Sequence, residues 1–216
     1  DWSSDVCSSD LLESRILLAG EPVGGAIAPQ FTINQSPRLQ PGDAPLVGYA
    51  GSEFDRVDVL WQTVPAGAGI QDSFVVDYRP VDASGAWQVA ALNAAIDTGV
   101  EGRVVRSATI TGLAWNAAYE YRVRHLRGEA IVAEYGSPFR TRLRAGDETR
   151  FSFAAYGDSA APAVDGFRDV QRRINEVNPS FAVLLGDNVY NAGTHREADA
   201  RFAPVVNPEA AAWMAG

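Results

Sequence analysis

Between residues 46 and 142, apolar and polar positions alternate in short runs. Val57, Val59 and Trp61 form one such run, and Phe74, Val76 and Tyr78 form another. The pattern recurs over Val105–Ile110 and at Tyr119, Tyr121 and Val123. A period of two places the apolar members of each run on one side of a strand. Turn signals fall between the runs at Pro65-Ala66-Gly67, Asp82-Ala83-Ser84-Gly85, Thr98-Gly99 and Gly128. This spacing predicts about seven short strands and a β-sandwich over 46–142. Residues 20–45, rich in Gly, Pro and Ala, read as part of a lead-in or linker that covers 12–45.

The period changes beyond the polar, Gly-containing stretch 143–149, which marks a domain boundary. From residue 150 an apolar run, Phe151–Tyr156, leads into Gly157-Asp158. Val164, Phe167, Val170, Ile174 and Val177 then share one stripe of a helix over 164–177, with Asp165, Arg168, Arg172 and Arg173 facing away. Asn178-Pro179 stops that helix. A continuous apolar run, Phe181–Leu185, predicts a parallel strand covered on both faces, and it ends at Gly186-Asp187. The whole is a strand–helix–strand unit of right-handed connection. A second helix is expected from about Arg196 to Phe202. With only two strands, 150–216 reads as the N-terminal part of an α/β domain, incomplete here.

The chain has 216 residues, of which 46% are hydrophobic, enough for a sizeable core. Net charge is −9, and all 18 basic residues are Arg without clustering. An acidic chain without a basic stripe is a poor binder of nucleic acid or anionic membranes. No apolar run reaches the ~18 residues that span a bilayer. Residues 1–11, DWSSDVCSSDL, match one reading frame of a sequencing adapter and are set aside as an artefact. They contain the only cysteine, Cys7, so the remainder forms no disulfide. Without Asp1, Asp5 and Asp10 the charge becomes −6. Together with the adapter match, the incomplete α/β unit predicts a fragment of a longer protein.

Chemistry concentrates at the two strand ends. Asp158 and Asp187 lie 29 positions apart, each behind a glycine, at equivalent places in one strand–helix–strand unit. Ligands of open α/β sheets bind at the carboxyl ends of the strands. Two carboxylates held close repel unless a cation or proton intervenes, and oxygen donors suit hard metals. Either aspartate alone has a plainer use as a helix N-cap or an Asx turn. The pair, with the Tyr190 phenol three residues after Asp187, favours a metal site.

Two resemblances follow from these residues. In Leu113…Tyr119-Glu-Tyr121-Arg-Val123, a leucine six residues before a strand-opening tyrosine resembles the tyrosine corner of fibronectin type III-like domains, whose phenol bonds back to upstream backbone. The ordered pattern Gly157-Asp158 … Gly186-Asp187-Asn188-Val189-Tyr190 behind such a sandwich resembles the first two blocks of calcineurin-like metallophosphoesterases, in particular the purple acid phosphatase branch. The resemblance covers roughly 46–216. It implies a fibronectin type III-like β-sandwich followed by the start of an α/β metallophosphoesterase domain. It also implies phosphoester hydrolysis with two metal ions, Fe paired with Zn, Mn or Fe. Asp158 would ligate the first metal, Asp187 would bridge both, and Tyr190 would be the phenolate on a ferric ion.

Three departures limit that resemblance. Ala160 stands where the first block usually has glycine, a D-x-H first block is absent, and the family's GNH(D/E) block and later histidines have no counterpart here. His195 reads as a solvated residue at a helix start, and His125 as structural in the sandwich. The 216 residues alone are therefore expected to be inactive. A phosphorylated small molecule or other phosphoester is the expected substrate. Residues 12–19, LESRILLA, resemble a segment near the N-terminus of large bacterial surface proteins, with Ser14 in place of proline. A secreted, cell-surface or periplasmic bacterial protein is the expectation. The alternative is a surface binding or adhesion module with a degenerate phosphatase-like domain. A nucleotide-binding domain is set aside, because neither strand is followed by a Gly-rich phosphate loop.

Overall fold

Thirteen elements make up the described part of the chain, and the strands that alternate in sequence form its core. The computed structural model describes residues 28–42, 50–52, 54–81, 86–159, 164–190, 192–203 and 214. Nine strands come first: β1 (Ala28–Pro41), β2 (Val57–Gly69), β3 (Asp72–Pro80), β4 (Gln88–Val89), β5 (Ala91–Leu92), β6 (Ile96–Asp97), β7 (Val104–Ile110), β8 (Ala118–Arg127) and β9 (Ala130–Arg140). One antiparallel sheet runs β1-β2-β7-β5, with β6 also on β7; a second runs β4-β3-β8-β9.

The period-two faces meet between these sheets. Val59 and Trp61 of β2 and Ala108 and Ile110 of β7 are buried, as are Phe74, Val76 and Tyr78 of β3 and Tyr119, Tyr121 and Val123 of β8. The Trp61 and Phe74 rings join the two sheets at a centroid distance of 5.7 Å. Each such side chain removed from water stabilises the fold by about 1.5–3 kcal/mol before entropy is counted. The Tyr119 hydroxyl accepts the Ala114 N–H at 3.1 Å, and the ring stacks on Phe139. Leu113 is buried beside it and donates its N–H to the Asp55 carbonyl. His125 stacks on Phe74 at 4.6 Å and lies 3.3 Å from buried Asp72. It is a core residue of the sandwich.

Two sequence expectations change here. The segment read as lead-in contains β1, which pairs with β2 from Ala28↔Gly69 to Pro41↔Val57. Its alternation is hidden because the register shifts at three places, one of them spanning Pro37. Proline is tolerated at such a bulge on an edge strand. Pro65-Ala66-Gly67 lies within β2, where the edge pairing with β1 carries the strand on to Gly69. Thr98-Gly99 and Gly128 do turn, with φ of 70° at Gly99 and 59° at Gly128. The turn expected over 82–85 lies outside the described residues, as does the whole of 1–27.

Beyond residue 142 come β10 (Phe153–Tyr156), α1 (Val164–Val177), β11 (Phe181–Leu184) and α2 (His195–Phe202). The two strands pair in parallel, Phe153↔Phe181 through Tyr156↔Leu184. Phe167, Gln171 and Ile174 are the buried part of the α1 face. The helix stops at Asn178, which adopts φ of 50° and returns its N–H to the Ile174 carbonyl. The expectation that the second strand is covered on both faces does not hold among the described residues. Phe181 is 49% exposed and Leu184 40%, and Val170 and Val177 of the α1 stripe are also exposed. One helix against two strands has too little surface to cover both faces. No helix among the described residues is long and apolar enough to cross a membrane.

Candidate metal centre

Backbone geometry brings the two Gly-Asp pairs together. β10 and β11 run in parallel register, so their carboxyl ends lie side by side. The Leu185 N–H donates to the Tyr156 carbonyl at 2.8 Å, and the Asp158 N–H to the Gly186 carbonyl at 3.2 Å. A Cβ on Gly157 would sit 3.1 Å from the Gly186 oxygen and 3.2 Å from Leu185 Cβ, so glycine permits this approach. Gly186 has φ of 111°, which side chains disfavour. Asp158 and Asp187 themselves adopt φ of 49° and 51°. Left-handed backbone is a costly conformation that aspartate tolerates better than most residues.

All three sequence-derived residues converge. The Tyr190 hydroxyl lies 2.6 Å from Asp187 Oδ2 and 3.0 Å from Asp158 Oδ1. Its hydrogen bond to Asp187, and then that to Asp158, hold the phenol protonated well above the ordinary tyrosine range. Both carboxylates accept from the phenol, so the two strand ends share one partner. The aspartates are exposed and Tyr190 is half-buried, so the cluster opens to solvent.

Three further residues shape the cluster beyond the three candidate ligands the sequence singled out. Ser159 Oγ donates to Asn188 Oδ1 at 2.9 Å, linking the residues that directly follow the two aspartates. Arg201 of α2 donates to the Ser159 carbonyl at 2.7 Å. Their positions next to Gly-Asp were the available clue for Ser159 and Asn188; Arg201, 42 positions downstream, had none. His195 is the exposed first residue of α2, and neither histidine joins the cluster. Among the described residues, no group of three or more His, Cys, Asp or Glu side chains gathers as a metal site. The cluster is two carboxylates and a phenol.

The chain resembles in fold a purple acid phosphatase from yellow lupin (Lupinus luteus) seeds, with a TM-score of 0.59 at 15% identity. The match covers 86% of this chain and 34% of the lupin chain, so this chain spans about a third of that protein's length. Two other likenesses are too weak to carry an argument. The vertebrate protein Astrotactin-2 gives a TM-score of 0.38 at 13% identity, over 68% of this chain and 25% of its own. A DUF4426 family protein from Pseudomonas aeruginosa gives 0.32 at 7% identity, over 54% of this chain and 90% of its own. No family model matches the sequence, and no curated protein does.

Proposed function

We propose that this chain is part of a metal-dependent phosphoester hydrolase of the purple acid phosphatase type. In this reading a fibronectin type III-like sandwich precedes the opening strand–helix–strand unit of the catalytic domain. The observation that carries the reading is the convergence of Tyr190 on both strand-end carboxylates. The fold likeness to the lupin enzyme over 86% of the chain supports it. So do the strand order of the two sheets and the Tyr119 corner, which suit a fibronectin type III-like domain.

The residues fit hard cations. Two carboxylates close enough to share one phenol proton repel each other, and a cation relieves that repulsion better than a shared proton does. Asp158 would hold one ion, Asp187 would bridge two, and Tyr190 would bind a ferric ion as phenolate after losing its proton. Ferric iron with iron, zinc or manganese supplies Lewis acidity and an activated water for hydrolysis of a phosphoester. The chain's own contribution is positional and electrostatic. Gly157 and Gly186 let the loops approach, and their geometry presents the carboxylates at the open edge of the strands. Without cations, the paired carboxylates repel an anionic phosphoester; with them, the same place attracts it.

Titration of the 216-residue chain with ferric iron tests this. The expected result is a visible tyrosinate-to-iron charge-transfer band. Tyr190→Phe is expected to abolish the band, and Asp187→Asn to abolish tight uptake. A band that survives Tyr190→Phe, or no uptake by the unaltered chain, overturns the assignment. Ligand binding by the sandwich with no iron uptake would instead mark a surface adhesion module.

A further inference from the structure

α2 carries two charged side chains with opposite duties. Asp199 and Arg201 are two residues apart, which separates them by about 200° around a helix of 3.6 residues per turn. Asp199 faces the sandwich. It pairs with Arg103 at 2.8 Å and accepts from Gln35 Nε2 of β1 at 2.8 Å. The Arg103 side chain is only 8% exposed and also donates to Gln62 Oε1 of β2. Arg103 also meets the exposed Glu101 at 3.3 Å, but Asp199 is the nearer and better-buried partner, and losing it weakens the pairing of a charge removed from water.

Arg201 faces the candidate centre. It is buried, its guanidinium lies 5.3 Å from the centre of the Phe167 ring, and it donates to the Ser159 carbonyl. Ser159 follows Asp158 directly and holds Asn188, which follows Asp187. At the other end of the helix, Glu197 accepts the N–H groups of Thr194 and Ala192, just past Tyr190. One eight-residue helix therefore holds the backbone directly after Asp158 and the backbone just past Tyr190, reaches Asp187 only through the Ser159–Asn188 bond, and is tied to the sandwich through Asp199.

We propose that α2 is a strut through which the sandwich sets the geometry of the metal centre. Arg201 and Asp199 are its positioning residues. Arg201 fixes the Ser159 carbonyl, and through it the separation of Asp158 from Asp187. Asp199 fixes the helix against Arg103. The sandwich is then part of the site's scaffold as well as a neighbouring domain. This inference rests on the metal-site reading above for its consequence, though not for the mechanical link.

Two measurements on the 216-residue chain test it. The first is ferric iron affinity and the energy of the charge-transfer band. Arg201→Met is expected to weaken iron binding by roughly 10–100-fold, the range seen when support of metal ligands is removed, and to shift the band. Arg201→Lys, which keeps a charged donor, is expected to recover most of that loss. Asp199→Asn is expected to weaken binding in the same direction, and less than additively with Arg201→Met, because both act along one path. The second is hydrogen exchange of the metal-free chain. Arg201→Met and Asp199→Asn are each expected to speed exchange over 157–159 and 186–190 while β2, β3 and β8 keep their protection.

Loss of thermal stability with an unchanged band and unchanged exchange over 157–159 would show mere packing and overturn the strut. If Arg201→Met melts the α/β unit, Asp199→Asn, with Arg201 intact, decides. If the unaltered chain takes up no iron, the metal reading fails, and the exchange measurement alone decides the strut.

Discussion

Gly186 is where a single backbone angle governs the candidate centre. At φ of 111° it turns the chain out of β11 and aims Asp187 back toward Asp158. Nothing lies within 4 Å of a Cβ added there, so the objection to a side chain is conformational and not steric. Gly186→Ala is expected to cost about 1–3 kcal/mol in the α/β unit and to weaken iron uptake, measured by urea unfolding and iron titration. Unchanged values for both would show that the loop takes another path at no cost. Gly157 is the converse case, since its Cβ would crowd Gly186 and Leu185. The Gly-Asp pairs and Tyr190 were legible in sequence because each lies within a few positions of a strand end. Ser159–Asn188 and Arg201–Ser159 were not, because one hydrogen bond across tens of residues imposes no pattern on the chain.

Among the elements, α1 was legible to the residue because its apolar stripe and the Asn178-Pro179 stop agree. β1 was not, because its register shifts break the alternation of an edge strand already interrupted by Pro37. What holds β1 is partly electrostatic. Asp72, at the start of β3, accepts the Phe31 N–H of β1 and pairs with Arg127 of β8 at 3.0 Å. Burial opposes its ionisation, but the bonds from Arg127 and Phe31 and the nearby His125 outweigh that and hold the carboxyl below its ordinary value. A depressed folded value contributes stability that is complete above the unfolded pKa of about 3.9 and is lost as pH falls through the folded one. The stability difference between the unaltered chain and Asp72→Asn is therefore expected to shrink as pH falls below about 4. A difference independent of pH throughout would refute this. The strut helix depends on its cap: Thr194 Oγ1 accepts the Glu197 N–H, and Glu197 accepts the Thr194 N–H in return. Thr194→Ala is expected to destabilise α2 by about 1 kcal/mol, read as faster exchange of its amides.

Across the whole molecule, apolar burial is unevenly divided. Every member of the main hydrophobic cluster, from Ile33 to Phe139, belongs to the sandwich. Beyond residue 142, Phe167, Ile174 and Ala203 are the buried hydrophobic residues among those described. On the strand face away from α1, Phe153 and Phe181 stack at 5.5 Å yet are 58% and 49% exposed. Parallel strands gain their stability from cover on both faces, so this unit is held mainly by one helix face and by the α2 contacts. Local opening free energy follows buried apolar contact, which predicts two tiers of protection. In native-state hydrogen exchange, amides of β2, β3, β7 and β8 are expected to open only with the sandwich as a whole. Amides of β10, β11 and α1 are expected to open first, at a fraction of that free energy. Ferric iron is expected to raise protection in the second tier alone, by the mass-action amount RT ln(1 + [L]/Kd), because Asp158 and Asp187 sit at the ends of those two strands. Uniform protection across both tiers would refute the division, and iron that protects the sandwich equally would place its binding away from the strand ends.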